Sequence, residues 1–344
     1  MFYNLISIFL LISTTTAVPN RSPLGKRFEI RGPWNLNTPV HETIMLSSLV
    51  GAKTGVEATA IDSAKPEVKE IFRGGFWNDD PMCQLFDDKP DTNWKFSTGF
   101  MWTKLFSTAK MWVQGKIDFK NLIGRSHFAD LQFLHAMGSE VGEKPSVTHQ
   151  KIMLWAEVLY KVSIGTLDGK SIISNAPIKA YFTAQSFPSS SSTLFDLFTC
   201  SSKFKDADVK RRALGSAFHM LQDSYAKGHT KRTLLNPKDL KPGSQTEFVE
   251  GKYAKLGAIE NFHCYKGQAK THAELDHWGV KGKQMDPSKP SSFDPLWGAT
   301  MAQMQGVKLA AFWKSKTPWD GGVKAFFEDV FTLSPKATDS DNTV

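Results

Sequence analysis

The strongest helical pattern of the chain lies between residues 206 and 232. Apolar residues recur there at a four-residue step, with two more beside the stripe: Val209, Ala213, Ala217, Leu221 and Tyr225, flanked by Leu214 and Phe218. Such a stripe is typical of a helix that buries one face. Gly228 favours a helix end, so the pattern predicts one long central helix that stops near this glycine.

Helical spacing also dominates the rest of the chain. Thr38 and Pro39 are the expected cap and first residue of a helix, and Gly165 is an expected helix end. Further helices are predicted at 41–52, 96–112, 127–142 with Ser126 as cap, 147–164, 260–278, 294–312 and within 316–332, with a short one around Val68, Ile71 and Phe72. No internal repeat and no convincing strand alternation is present. The chain is therefore predicted to be all-α, a single multi-helix domain over 28–335.

The remaining stretches are predicted to connect these helices. Glycine, proline and serine are frequent in them, as in turns and loops. The connecting stretches are the loop 74–81, the serine-rich segment 183–203, the long polar loop 236–252 and the linker 286–293. Residues 336–344 are predicted to form a disordered tail.

The N-terminus has the pattern of a secreted protein. Residues 5–13 form an apolar run too short to cross a bilayer comfortably, and small residues follow at Thr15 and Ala17. We expect a signal peptide at 1–17. The dibasic pair at 26–27 is either an accident or the end of a propeptide at 18–27, which would give a mature start at Phe28. The mature protein is expected to be extracellular and monomeric.

Composition narrows the class of protein but not its activity. Hydrophobic residues make up 41% and charged residues 22%, as in an ordinary globular protein. The formal net charge of +8 favours an anionic partner, nucleic acid or a membrane surface, or else serves only solubility. Three cysteines exclude a disulfide-rich scaffold. One pair can be bridged, and the sequence does not identify it.

Candidate metal ligands are spread along the chain. His219 and Asp223 lie one turn apart on the central helix, and His229 follows Gly228. Imidazole nitrogens and carboxylate oxygens are the ligands that zinc takes, and the alternative is a structural His–Asp pair. The other candidates are His41, Asp79 or Asp80, His127 or the nearby His135, and the pair His272 and Asp276.

Taken together, these residues resemble the zinc-dependent phospholipase C / P1 nuclease superfamily. Its signature, His-x3-Asp-x5-His followed later by His-x3-Glu or Asp, is matched at HMLQD, YAKGH and HAELD. The resemblance implies an all-helical fold with up to three zinc ions in a cleft. It assigns the zinc ligands as follows: Asp79 or Asp80, His127, His219 and Asp223 to one ion; His229, His272 and Asp276 to a second; Asp223, His41 and the mature N-terminal residue Phe28 to a third.

The resemblance also implies the chemistry and leaves its substrate open. We expect a phospholipase C that hydrolyses phosphatidylcholine-type lipids at a membrane surface, with Asp79 orienting or deprotonating the attacking water. The alternatives are a P1-like single-strand nuclease and a non-catalytic secreted effector on the same scaffold. Phe28 stands where the family has tryptophan, with Trp34 as another candidate start, and Asp276 stands where the phospholipase branch has glutamate.

Overall fold

The computed structural model describes residues 40–83, 121–182, 191–200, 206–265 and 285–343. Within these ranges the protein is mostly helical, with one small antiparallel sheet. The elements are α1 (Val40–Gly51), α2 (Pro66–Asp79), α3 (Leu122–Phe128), α4 (Pro145–Ile164), α5 (Leu194–Phe198), α6 (Val209–Asp223), β1 (Thr230–Leu234), β2 (Leu256–Phe262), α7 (Ala299–Ser315) and α8 (Val323–Val330). The predicted helix 96–112 lies outside the described residues.

The predicted central helix, α6, lies at the centre of the structure. Asp208 caps it by accepting hydrogen bonds from the amides of Lys210 and Arg211. Every residue from Arg212 to Asp223 is buried, because α2, α4 and α7 pack around the helix. The helices predicted at 41–52 and 147–164 are confirmed as α1 and α4. α7 begins five residues after the predicted start at 294 and extends past the predicted end at 312, and α8 falls within the predicted 316–332 region. In the described residues no helix is long and apolar enough to cross a membrane.

The predicted loop at 74–81 is wrong, because α2 continues through both glycines to Asp79. Gly74 faces the backbone of Arg212, and Gly215 faces the carbonyl oxygen of Ile71. A Cβ atom at either glycine would overlap these backbone atoms. The glycines therefore allow α2 and α6 to cross in backbone contact, and tertiary packing outweighs their weak helix propensity.

The all-α prediction holds for most of the described chain but omitted the hairpin of β1 and β2. Thr230 pairs with Phe262 and Leu234 with Leu256, with register irregularities between these pairs. Such irregularities break the alternation of buried and exposed residues that marks a strand in sequence. The helix predicted from residue 260 is wrong where it overlaps β2, and residues 266–278 lie outside the described part.

The predicted helix 127–142 is also wrong. Asn121, not Ser126, caps α3, which ends at Phe128. A 3-10 turn at Gln132–His135 follows, and Ala136 adopts a left-handed conformation with φ 54°. The break places His127 and His135 on different elements, whereas a continuous helix would have spaced them by two turns.

The C-terminal segment is ordered, contrary to the predicted disorder after Pro335. The amides of Ser334 and Thr338 donate to the carbonyls of Ile259 and Glu260, so the segment runs along β2. Ser340 is only 2% exposed. The polar composition suggested disorder, but these backbone hydrogen bonds give the segment partners that composition does not reveal.

A disulfide joins Cys83, just after α2, to Cys200, just after α5. It closes a loop across 117 positions of sequence and holds the end of α2 against the neighbouring helix. Cys264 is buried and outside any disulfide. The pairing answers the question that the sequence left open.

We expect Gly215→Ala to lower the free energy of unfolding by about 2 kcal/mol, because the new methyl group forces α2 and α6 apart. Urea denaturation measures the change. Gly321→Ala is the matched control, since Gly321 is exposed and a Cβ there meets its nearest atom at 3.3 Å. The control should stay within about 0.5 kcal/mol of the natural protein. Equal destabilisation of both variants would contradict the proposed role of the helix crossing.

Candidate metal centre

Five histidines and two aspartates from separate elements meet beside α6. The described residues of the cluster are His41 in the first turn of α1, Asp79 at the end of α2, His127 in α3, His135 in the 3-10 turn, His219 and Asp223 in α6, and His229 just before β1. The structure thus brings together the described residues that the sequence proposed as ligands, with both His127 and His135 in the cluster and Asp79 rather than Asp80.

Asp223 is the hub of this cluster. Its Oδ2 lies 2.9 Å from Nδ1 of His135 and 3.0 Å from Nε2 of His219. Its Oδ1 lies 3.4 Å from Nε2 of His41. His229 Nδ1 lies 3.7 Å from Oδ2. The carboxylate is 1% exposed, so four imidazoles replace the water that a charged group normally needs.

Asp79 forms the open side of the cluster. Its carboxylate oxygens lie 3.7 Å from His127, 3.9 Å from His135 and 3.8 Å from His219. The Asp79 side chain is 24% exposed, against 1% for Asp223, so Asp79 faces solvent while Asp223 does not. Of the two candidate carboxylates at 79 and 80, Asp79 is the one that joins a histidine group able to hold a metal.

Backbone carbonyls orient three of the imidazole rings. Nδ1 of His127 donates to the carbonyl of Ile123, and Nδ1 of His229 donates to the carbonyl of His135. Nε2 of His135 lies 3.0 Å from the carbonyl oxygen of Asn78 and donates to it. A carbonyl only accepts, so each neutral ring keeps the lone pair on its other nitrogen. Such hydrogen bonds are typical of histidines that bind metals.

His41 and Asp223 provide the sharpest test of whether the cluster suits a cation. Nδ1 of His41 lies 2.6 Å from Oε1 of Gln222 and donates to it, which leaves the lone pair on Nε2. Oδ1 of Asp223 accepts no hydrogen bond from the described residues, although Nε2 of His41 is 3.4 Å away. Two acceptors therefore face each other in a buried place. Two ligands about 2.1 Å from one tetrahedral ion lie roughly 3.4 Å apart, so the pair fits a metal.

Burial and charge shift the pKa values in opposite directions within the cluster. Burial, together with the neighbouring His219, lowers the pKa of His41 to about 4. Burial likewise lowers the pKa of His135. Burial alone would lower the pKa of His219, but Asp223 and Asp79 outweigh it and raise that pKa. Burial also opposes ionisation of Asp223, yet the surrounding histidines hold its pKa well below the ordinary value. The pKa of Asp79 is also lowered, because the neighbouring histidines outweigh the opposing effect of burial.

The described residues contain three groups able to hold a metal ion. They are His41 with His219 and Asp223; Asp79 with His135 and His219; and His135 with Asp223 and His229. His135 belongs to two of the groups, whereas His127 lies beside Asp79 and belongs to none of them. The sequence offered both histidines and favoured His127. The prediction assumed one continuous helix, whereas the helix ends at Phe128 and a 3-10 turn follows. Spacing along the sequence therefore did not show where either ring lies. Phe28, His272 and Asp276 lie outside the described residues.

A comparison with protein-family models gave no match, and comparisons with curated proteins and with solved structures gave none either.

We expect the metal-free protein to lose stability as the pH falls from about 6.5 to about 4. The unfolded chain binds a proton at His41 near pH 6.5, while the folded protein binds it only near the pKa of about 4. Because the unfolded state holds more protons between these values, acid favours unfolding by up to about 3 kcal/mol from this group. Urea denaturation in a chelator, at several pH values in this range, measures the slope.

The variant His41→Gln removes this titration and keeps a polar side chain. Its stability should fall less steeply over the same pH range. The same slope in both proteins would show that His41 is not held neutral by burial.

Proposed function

We propose that the protein is a secreted, zinc-dependent phosphodiesterase, of phospholipase C type, that splits phosphatidylcholine-type lipids into diacylglycerol and a phospho-headgroup. The observation that carries the proposal is the buried Asp223, whose two oxygens face imidazoles from four different segments. A carboxylate shared in this way suits a centre with more than one metal ion. Centres of this kind serve hydrolysis of phosphodiesters.

The donor set supports zinc. It consists of imidazole nitrogens with two carboxylates, whereas calcium and magnesium prefer oxygen ligands. Asp79, His135 and His219 would hold one ion, with His127 beside Asp79 at the rim. His41 and Asp223 would contribute to a second ion together with the mature N-terminal residue. His229 would contribute to a third with His272 and Asp276, giving up to three zinc ions per chain.

The residues of the chain have distinct tasks in this proposal. Bound zinc would neutralise the phosphate and lower the pKa of a bound water. Asp79 is the exposed carboxylate of the cluster, and its lowered pKa keeps it ionised, so it can accept a hydrogen bond from water at the open side. His127, 12% exposed and 3.7 Å from Asp79, orients that carboxylate. The formal net charge, +8 for the full chain, favours an anionic membrane surface in which such a lipid lies.

A nuclease and a non-catalytic effector remain as the competing functions, and each predicts a different result. Phosphocholine release from phosphatidylcholine vesicles supports the phospholipase. Nucleotide release from single-stranded DNA without lipid hydrolysis supports the nuclease. Metal binding without either activity supports the effector.

We expect natural, fully processed protein to hold about three zinc ions per chain after dialysis against metal-free buffer, as measured by elemental mass spectrometry. His219→Ala and Asp223→Ala should lose zinc, lower the melting temperature and reduce lipid hydrolysis to background. Asp79→Asn should reduce hydrolysis by about a hundredfold, with a smaller loss of zinc, because it removes a charge at the rim.

The matched control for these variants is His149→Ala. His149 in α4 lies 3.3 Å from Glu328 in α8 and belongs to none of the metal-binding groups. It should keep zinc and activity. Full activity in His219→Ala or Asp223→Ala would refute the assignment of the metal centre.

We expect Arg27→Ala to block removal of the propeptide and to leave the protein with about one zinc ion fewer per chain. The reason is that the mature N-terminus at Phe28 is a proposed ligand, available only after cleavage. N-terminal sequencing and elemental analysis of the same secreted sample measure both quantities. Unchanged zinc content in uncleaved protein would exclude Phe28 as a ligand.

A further inference from the structure

The surface around the hairpin carries an unusual share of the exposed apolar side chains. Among the described residues six large hydrophobic side chains are exposed, and three of them lie here: Leu235 at 66%, Val249 at 47% and Met304 at 44%. We call this surface the hairpin face, and it comprises Leu235, Phe248, Val249, Tyr253, Trp297 and Met304.

Contacts link several of these residues in pairs. The hydroxyl of Tyr253 lies 3.8 Å from the sulfur of Met304, and the rings of Phe248 and Trp297 lie 6.0 Å apart. The amide of Leu235 donates to the carbonyl of Lys255, two residues after Tyr253. The long loop between β1 and β2 and residues 297–304 therefore lie against each other, and both carry side chains of the hairpin face.

Lysines are frequent in the chain segment that carries most of the hairpin face. Residues 227–255 contain seven Lys and Arg against three Asp and Glu, a net charge of +4 out of +8 for the whole chain. Five of these lysines are exposed: Lys231, Lys238, Lys241, Lys252 and Lys255. The density of positive charge beside exposed apolar side chains points to a partner that is both anionic and apolar.

The hairpin face adjoins the metal centre. Lys227 lies 5.4 Å from the ring of Trp297, and it occupies the connection between Asp223 and His229. Gly298, with φ +77°, packs directly against the carbonyl of Tyr225 in the same connection. A partner bound on the hairpin face would therefore lie beside the segment that links two proposed zinc ligands.

We propose that the hairpin face docks the protein onto an anionic phospholipid surface. Exposed aliphatic side chains that can insert among acyl chains, a nearby tyrosine and tryptophan, and exposed lysines in the same segment are features of a peripheral membrane contact. A single nucleic acid strand would use the lysines but gain little from Leu235 and Val249, which have no ring to stack on a base. The choice of lipid rests on the proposed function, but docking is measured as binding and needs no hydrolysis.

The test is sedimentation of zinc-loaded protein with large vesicles of phosphatidylcholine, with or without about one third phosphatidylserine. The natural protein should bind the anionic vesicles, and less well at high salt. Lys238→Glu with Lys252→Glu should weaken binding by at least about tenfold, since two lysines near the surface are replaced by repelling charges. Leu235→Ser with Val249→Ser should weaken binding to a similar degree of about tenfold, and salt should not restore it.

Matched controls are exposed residues outside the hairpin face and outside the segment 227–255. Lys170 and Lys179 are exposed lysines near the exposed Ile172, and Val141 is another exposed apolar side chain. Lys170→Glu with Lys179→Glu, and Val141→Ser with Ile172→Ser, should bind vesicles as the natural protein does.

Hydrolysis of a soluble short-chain phosphatidylcholine separates docking from catalysis. Hairpin-face variants that keep zinc and hydrolyse the soluble lipid, but lose vesicle binding, support the proposal. Vesicle binding in an inactive protein would contradict the proposed function and leave the docking surface standing. No binding by the natural protein, equal losses in the control variants, or charge-dependent binding of single-stranded DNA alone would overturn it.

Discussion

A buried carboxylate is the constraint on which the rest of the structure depends. Asp223 sits on the buried helix α6 and is 1% exposed, so its charge must be compensated inside the protein. His219, whose pKa this carboxylate raises, supplies part of that compensation, and imidazoles from α1, the 3-10 turn and the segment before β1 enclose the rest of the carboxylate. Because these segments are distant in sequence, each must be held in place for the carboxylate to remain ionised. A hydrophobic side chain at this position would need no such compensation of charge.

The crossing of α2 and α6 supplies much of that positioning. Gly74 and Gly215 let the two backbones touch, and Asn78 then joins three elements at once. Its amide nitrogen donates to the carbonyl of Leu134, and its side-chain oxygen accepts from Ser216. Its own carbonyl accepts from His135. Asp79, the next residue, therefore arrives at the cluster with both its neighbours fixed, and the disulfide at Cys83 holds the helix end from the other side.

Sequence reasoning succeeded where the chemistry is local and failed where it depends on tertiary packing. The spacing of His219 and Asp223 requires only a helix, and the apolar stripe of α6 predicted that helix. Asp79 was placed in a loop because two glycines usually interrupt a helix, and only the contact with Arg212 and Ile71 explains why they do not. The position of His135 depends on a 3-10 turn, whose conformation cannot be predicted from the spacing of apolar residues. The hairpin was not predicted, because its irregular register breaks the alternation of buried and exposed residues that marks a strand. The N-terminal and 266–284 ligands stay predictions.

The hairpin of β1 and β2, which sequence analysis did not predict, connects the histidine–aspartate cluster to the protein surface. Arg232 in β1 is buried, and its guanidinium donates to the carbonyls of Ser224, Gly257 and Val330. It also lies 4.3 Å from the ring of Tyr225. No carboxylate among the described residues pairs with this buried positive charge, and the converging carbonyl oxygens stabilise it instead.

These contacts make the end of α6, the hairpin and α8 one unit. Ser224 follows Asp223 directly, and His229 precedes β1, so Arg232 holds both flanks of the connection that carries two proposed ligands. The same connection supports the hairpin face through Lys227 and Gly298. The buried guanidinium of Arg232 thus anchors the backbone beside both the proposed metal centre and the hairpin face.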